Sequence, residues 1–471
     1  MRGVDQIDFL ELHPGAAPAK GVTAWLVDAL RAAIADGRLA AGARLPATRA
    51  LAADLGLSRG VVVEAYQRLT DEGLLSGRTG AGTVVTGLAA QPREPSRPRE
   101  ASAMRLPLPP SAGVDLDLSP GVPDLSAFPR AAWLRAERAV LATATNADLG
   151  YGDPRGNPRL RTELAGWLAR TRGVQTGADD LIVVNGVAQA LALLAQTARS
   201  QGVTEVAVED PGSRGTRDEL AHWGLQPVPV PVDGEGLRVD RLAATGLDSV
   251  LLTPAHQFPT GVVLSPARRR ALLAWPGLII EDDYDAEHRY DRAPVAALQA
   301  SAPDRVAYTG SVSKSLAPGM RLGWLIAPRA RHADLVTAKH ASDLGNPALP
   351  QLIFAHLLAG GDYERHLRTV RRRQVRRRDA LLHGLREHVP QARVEGVAAG
   401  LHLLITLPGP ADDTELARRL EQDGVRVHPL SWHRQLDGPP GLVLGYAALP
   451  PDRLLEAARR MGRTLGAQRA R

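Results

Sequence analysis

The chain has 471 residues, 44% of them hydrophobic, 4% aromatic, and it contains no cysteine. Its formal net charge is +6 and its isoelectric point about 9.9. This length calls for more than one core. The composition excludes disulfides and thiolate metal sites, and no apolar run approaches the roughly 18 residues of a membrane span or signal core. A cytoplasmic protein with no membrane partner is expected. The positive charge is compatible with a polyanionic partner but does not identify one.

In chain order, Trp25 to Ile34 has helical apolar spacing, and Gly42-Ala43-Arg44-Leu45-Pro46 reads as a turn. Thr48 is placed to cap a helix through Leu51, Ala52 and Leu55, which Gly56 stops. Ser58 is placed to cap a second helix carrying Val61, Val62, Ala65, Tyr66 and Leu69. Leu74 to Val85, with glycines near its middle, reads as a hairpin. Two short helices and a hairpin make a winged helix-turn-helix over residues 1–87. Its second helix would enter the major groove by its N-terminus, presenting Ser58, Arg59 and Gly60. Arg59 is the base-reading candidate, since arginine pairs bidentately with guanine. Arg44, Arg49, Arg78 and Gly80 are the backbone or minor-groove candidates. A protein-binding three-helix module with solvated arginines fits the same spacing. Gly37-Arg38-Leu39, Arg49-Ala50-Leu51-Ala52, Leu55-Gly56-Leu57-Ser58-Arg59, Glu72-Gly73-Leu74-Leu75 and Gly80-Ala81-Gly82-Thr83 resemble the GntR-type winged helix across residues 19–86, which implies operator DNA as partner.

Residues 91–112 read QPREPSRPREASAMRLPLPPSA and lack apolar periodicity. Positions 88–112 are therefore expected to form a linker. Beyond it, Leu181–Val184, Val206–Val208, Ser249–Leu252, Leu278–Ile280 and Val306–Tyr308 are unalternating apolar runs. Helical patterns such as Ala188–Ala198 and Ala267–Ala274 lie between them. A mostly parallel sheet covered on both faces follows, with ligands at the carboxyl ends of its strands. From about residue 350 to 471 an arginine-rich helix and the run Leu401–Ile405 suggest a smaller α+β lobe. The helix Glu364–Arg386 reads as a solvated lobe face packing through its apolar side, with DNA contact as the other reading.

Four predicted features meet at those strand ends. Lys314 lies in Gly310-Ser311-Val312-Ser313-Lys314-Ser315, with Arg321 following; Asp282 and Tyr284 close the run Ile279-Ile280-Glu281-Asp282-Asp283-Tyr284; Asn185-Gly186-Val187-Ala188 turns a strand into a helix. A Schiff-base lysine, an acid for a pyridine nitrogen, a phenol for a ring hydroxyl and phosphate donors together describe a site for pyridoxal 5'-phosphate (PLP). The phosphate donors are Ser311, Arg321 and the helix amides at Gly186, Val187 and Ala188. His256 is read either as close to the ring or as a buried, hydrogen-bonded histidine. Taken singly, each signal has a bland reading: a surface lysine, a carboxylate metal site, an ordinary turn. No metal is expected.

The order Tyr151-Gly152-Asp153-Pro154-Arg155-Gly156, Asn185–Leu191, Glu209-Asp210-Pro211-Gly212, Thr253–Gly261, Asp282/Tyr284 and Lys314/Arg321 resembles the fold type I aminotransferases over residues 113–450. That resemblance implies a homodimer in which Tyr151 reaches the partner's phosphate. Joined to the winged helix, the His-Gln-Phe-Pro-Thr-Gly and Glu-Asp-Asp-Tyr-Asp forms resemble the MocR/GabR transcriptional regulators. They imply a head-to-tail, domain-swapped dimer sensing a small amine, an amino acid or PLP itself. Departures are visible. Val443 stands where aminotransferases carry the substrate-carboxylate arginine, Ser213 where an aromatic often stacks on the ring, and Ala188 where a polar side chain often meets phosphate. An apolar residue cannot replace an arginine fork. Arg214 and Arg217 are candidate effector contacts, equally read as ordinary surface arginines. The alternative function is a working aminotransferase with an accessory DNA-binding module.

Overall fold

The computed structural model describes residues 20–78, 82–86, 113–290, 295–396, 399–408 and 412–466. The chain divides into two units, Met1–Ala101 and Ser102–Arg471. The expected linker, like Gly80, lies outside the described residues.

In the first unit, helices Val22–Ala35, Thr48–Asp54 and Arg59–Asp71 precede strands Leu75–Arg78 and Gly82–Val85. Leu26, Leu30, Leu51, Leu55, Val62, Tyr66, Leu69 and Val85 close one core, the apolar stripes of three amphipathic helices meeting on the hairpin. The expected turn at Gly42–Pro46 holds a third strand, Arg44–Leu45, paired antiparallel with Thr83–Val84. Two caps differ from expectation. Thr48 is the first residue of its helix rather than its cap, and Ser58 occupies the cap position without a side-chain cap bond. Gly56, at φ +63, supplies the left-handed residue that lets the Leu57 amide turn back onto the Ala52 carbonyl at 2.9 Å.

The second unit is built on an eight-stranded sheet. Its spatial order is Leu181–Val184, Gly323–Ile326, Val306–Ser311, Leu278–Asp283, Ser249–Leu252, Glu205–Asp210, Gln226–Asp233, Gly236–Leu237. Only Gly323–Ile326 and the terminal Gly236–Leu237 run against their neighbours. One face is covered by helices Arg130–Thr143, Pro158–Arg172 and Ala348–Ala359, around Trp167, Trp324, Phe354 and Tyr363. Trp167 sits edge-on to Trp324, centroids 6.1 Å apart, and 5.4 Å from Tyr363; such pairs add about 1 kcal/mol each to simple burial. The other face packs Leu191, Leu194, Leu220 and Leu335 onto Ile182, Val208 and Ile280. Both faces are therefore apolar, as unalternating strands require.

Helix Asp362–His388 leads into the smaller lobe. Its four-stranded sheet runs Arg393–Glu395, His402–Thr406, Gly441–Gly445, His428–Pro429. Leu116 and Leu118, far upstream, lie buried in that lobe's core beside Leu385, Ile405 and Leu444, and Leu116–Asp117 pairs with Val425–Arg426. Arg373 and Arg377 of the long helix grip the buried Asp124 at 2.6 and 2.9 Å, so part of the basic face is internal. Among the described residues no helix is long and apolar enough to cross a membrane.

Candidate functional site

A cavity of about 600 Å³ opens at the carboxyl ends of the parallel strands. Asp282 comes from strand Leu278–Asp283, and Tyr284 follows its end. Ser311 closes strand Val306–Ser311, and Ser313 and Lys314 lie in the turn beyond. Helix Val187–Ser200 points its N-terminus at the same space. Lys314, Asp282, Tyr284, Ser311, Arg321, Val187 and Ala188 all line it.

Lys314 Nζ donates to the Gly121 carbonyl at 2.6 Å. Burial lowers its pKa, against the opposing pull of Asp282 and Asp285, which favours a free amine able to attack a carbonyl. Asp282 is pushed up to about 7, by burial first and then by Asp283 and Asp285, while Lys314 pulls the other way. Its Oδ1 is buried with no hydrogen-bond partner. Asp283 points away from the cavity and is matched: Arg172 grips it at 2.7 Å.

Gly186 caps the helix with φ +82 and no side chain. The left-handed φ is what calls for glycine here; a Cβ would also lie 3.2 Å from both terminal nitrogens of Arg321 and push that side chain by a few tenths of an ångström. The amides of Val187 and Ala188 have no acceptor inside their helix. Arg321 is held in the left-handed region at φ 46, a strain of about 1–2 kcal/mol for a side-chain-bearing residue, and its guanidinium also donates to the Asn185 carbonyl. Amides, hydroxyl and guanidinium at one helix end form an anion cradle.

Of the remaining candidates Ser213 and Arg217 also line the cavity, and the others lie outside its lining. His256 is buried behind Tyr284, its Nδ1 3.1 Å from the phenol and 2.8 Å from Asp285. Tyr151 stands 95% exposed, away from its own chain's cavity. Val443 is fully buried against Leu404, Leu430 and Phe258. Ser213 lines the cavity while its hydroxyl caps helix Arg214–His222. Arg217 is not a surface arginine. It is 8% exposed and donates to the carbonyls of Gly212, His433 and Trp432 at 2.8, 3.0 and 3.0 Å. Arg214 is half-buried beside Asp218, 3.5 Å away.

Sequence reasoning missed several wall residues. Glu209, pushed up to about 7 by burial, accepts from the amide and hydroxyl of Thr253 at 2.9 and 2.8 Å. Phe258, His402, Thr216 and Glu219 also line the cavity. Glu209 and Phe258 stand inside motifs that drew attention for other positions, whereas Thr216 and Glu219 are betrayed only by three-residue spacing on one helix face.

On the first unit, Ser58, Arg59 and Gly60 are exposed at the start of helix Arg59–Asp71, and Arg44 and Arg49 are exposed nearby in sequence. None of these three arginines forms a salt bridge among the described residues. Arg31, Arg38 and Arg68 do, with Asp28 and Glu72, Asp36, and Glu64. Arg78 ends its strand.

Comparison with known proteins places both units. The family described as aminotransferase class I and II matches residues 115–463, and the gntR family of bacterial regulatory proteins matches residues 23–85. An HTH-type pyridoxine biosynthesis transcriptional regulator, PdxR, of Corynebacterium glutamicum is 34% identical over 91% of this chain and 92% of its own length. A probable rhizopine catabolism regulatory protein, MocR, of Rhizobium meliloti is 32% identical over 92% of this chain and 91% of its own. The chain belongs to the MocR family of transcriptional regulators. Its second unit has the fold type I aminotransferase architecture. A Pyrococcus horikoshii kynurenine aminotransferase, solved with PMP, superposes with a TM-score of 0.69 at 26% identity, covering 75% of this chain and 91% of that one. The regulator thus joins a DNA-binding winged helix to an aminotransferase-like domain.

Proposed function

We propose that this regulator holds PLP in the 600 Å³ cavity and that the state of the cofactor sets its grip on operator DNA. The observation carrying this reading is the partnerless Asp282 Oδ1: a buried carboxylate without a donor is costly, and a protonated pyridine nitrogen is the donor it lacks. Lys314 would hold the cofactor covalently, Tyr284 would serve the ring hydroxyl, and Ser311, Arg321 and the Val187 and Ala188 amides would take the phosphate. When bound, PLP supplies an electrophilic carbon for amines and an electron sink.

The protein is read as a cytoplasmic homodimer. Tyr151 at 95% exposure and Leu134, Leu141 and Leu149 at 52%, 53% and 58% are exposed apolar side chains that a second copy would cover. The effector is a small amine, an amino acid or PLP itself. The absent arginine at Val443 favours PLP itself, as does the pyridoxine-biosynthesis role printed for the Corynebacterium relative. DNA contact is assigned to Arg59, with Arg44, Arg49, Ser58 and Gly60 around it.

The test is absorbance of the purified protein with PLP alongside an operator shift assay at fixed salt. A visible cofactor band in wild type is expected, with operator affinity that changes when PLP, or PLP plus amines, is added. Protein that stays colourless in excess PLP refutes the cofactor assignment. Arg59→Ala should weaken specific binding by about 1–3 kcal/mol; an unchanged operator affinity would remove Arg59 from the interface.

A further inference from the structure

Behind Tyr284 lies a hydrogen-bonded set that the reading above leaves unused. His256 Nδ1 is 2.8 Å from Asp285 Oδ2 and 3.1 Å from the Tyr284 hydroxyl, and the two side chains behind Tyr284 are 3% and 1% exposed. Gly400 seals the set. A Cβ there would come within 2.1 Å of His256 Cε1 and 2.8 Å of Asp285 Oδ2. The Gly400 carbonyl is itself pinned by the hydroxyls of Tyr290 and Tyr446, at 2.6 Å each.

One ring nitrogen thus faces two neighbours, and it carries at most one proton. Asp285 can only accept while it is ionised. Burial opposes that charge, but the imidazoles of His256, His402 and His288 outweigh it and hold the carboxyl below its ordinary range. The Nδ1 proton therefore belongs on the Asp285 side. A protonated Nδ1 cannot accept from Tyr284. The phenol keeps its own proton to donate, with two outlets: the Asp285 carboxylate, which also hydrogen-bonds it, and the cavity, where an anionic ring oxygen would compete for it.

We propose that Asp285 is a positioning residue: it fixes His256 with its proton on Nδ1, and so keeps the Tyr284 hydroxyl a donor toward the ring oxygen of the bound cofactor. Without Asp285, His256 could take its other neutral form, accept the phenol's proton at Nδ1 and silence that donor. The optical part of this inference rests on the PLP reading; the tautomer itself does not.

The charged groups around the phenol are Asp282, Asp285 and Glu209, and those around Asp285 are His256, His402 and His288, with Lys314 near both acids. Changing residue 285 leaves the others in place, and the sign of the response separates causes. Losing a negative charge disfavours the protonated bound cofactor and lowers the pH midpoint of its visible absorbance. Losing a donor to the anionic ring oxygen raises it. Asp285→Leu removes charge and acceptor together, whereas Asp285→Asn removes the charge and keeps an acceptor for Nδ1–H. In the full-length protein loaded with PLP, Asp285→Leu is expected to raise the midpoint by about one pH unit, tenfold in the equilibrium, toward the value in Tyr284→Phe. Asp285→Asn should leave it unchanged or lower. A midpoint that falls in Asp285→Leu, or rises equally in Asp285→Asn, overturns the proposal. Should Asp285→Leu not fold or not hold PLP, ¹⁵N spectra of histidine-labelled, cofactor-free wild type decide, with His256→Gln for assignment. A His256 proton on Nδ1 supports the proposal, and a bare Nδ1 overturns it even where PLP binding stands.

Discussion

The two ends of the large unit's cavity have been treated differently. At the end proposed for PLP, polar groups face inward with donor or acceptor capacity left over: the Lys314 amine and the Arg321 guanidinium each donate to a backbone carbonyl and keep further N–H groups, one Asp282 oxygen is partnerless, and the first amides of a helix have no acceptor within it. At the opposite end the candidate effector groups are already engaged. Arg217 lines the cavity but gives three of its N–H groups to backbone carbonyls, the Ser213 hydroxyl caps its helix, and Val443 is buried outside the lining among Leu404, Leu430 and Phe258. The first end can still receive a cofactor. Among the described residues, the cation that lines the second end, Arg217, is already held by backbone carbonyls, whereas an amino-acid carboxylate calls for a fork free to grip it.

The sharpest way to break the contrast is Lys314→Ala, which should abolish the visible band of bound PLP altogether. A variant that keeps the wild-type spectrum would remove the lysine from the reading. Next in size is Asp282. Its folded pKa of about 7 lies above the unfolded value near 3.9, so between those two pH values the folded chain holds a proton the unfolded chain has released. Stability therefore falls as pH rises through that window. Cofactor-free Asp282→Asn should consequently outlast wild type in chemical denaturation at pH 8, by on the order of a few kcal/mol, with the gap closing toward pH 4. Comparing the two proteins cancels Glu209 and Glu219, which burial shifts in the same direction. A gap that stays constant with pH would mean Asp282 is not the strained group.

A smaller effect is expected at the phosphate cradle. Arg321→Ala should weaken PLP binding by about 1.5–3 kcal/mol, the value of a hydrogen bond to a charged group. The Lys314 band should persist once PLP is in excess. Equal loss of binding with phosphate-free pyridoxal would place Arg321's influence somewhere other than the phosphate.

How much of this was legible in the sequence follows the same divide. The groups gathered at the end proposed for PLP could be picked out because each sits in a short local motif: strand, turn and the polar residue follow one another in the chain. The sheet was readable where strands are continuous apolar runs, and the gaps have physical reasons. Gln226–Asp233 carries Pro227, Pro229 and Pro231, and proline normally argues against a strand. Prolines at alternate positions, however, all withhold their missing N–H from one side only, and the edge they spoil is met by just the two-residue strand Gly236–Leu237. Gly323–Ile326 is short and antiparallel in a parallel setting. Gly323 is held close to Gly186, since a Cβ on it would meet the Gly186 Cα at 2.9 Å. The far end of the cavity was not readable. Arg217 meets residues more than 200 positions away, and no local pattern announces such a contact. Leu116 and Leu118 likewise joined the C-terminal lobe through a pairing across some 300 positions.

The far end also yields the smallest and most discriminating test. If Arg217 is structural, its value lies in a planar fork that reaches three carbonyls from two segments, Gly212 and Trp432–His433. Lysine has the same charge but a single nitrogen, and cannot span them. Arg217→Lys should therefore lower stability by about 1–2 kcal/mol, the cost of leaving buried carbonyls without donors. It should leave PLP affinity within about twofold, since Arg217 serves none of the phosphate or ring contacts. An effector-binding arginine behaves oppositely. Lysine there would leave stability alone and blunt the response of DNA binding to added amino acids, because a point charge still attracts a carboxylate but no longer grips it at two points. Melting temperature and effector response, measured on the same variant, give opposite answers under the two assignments.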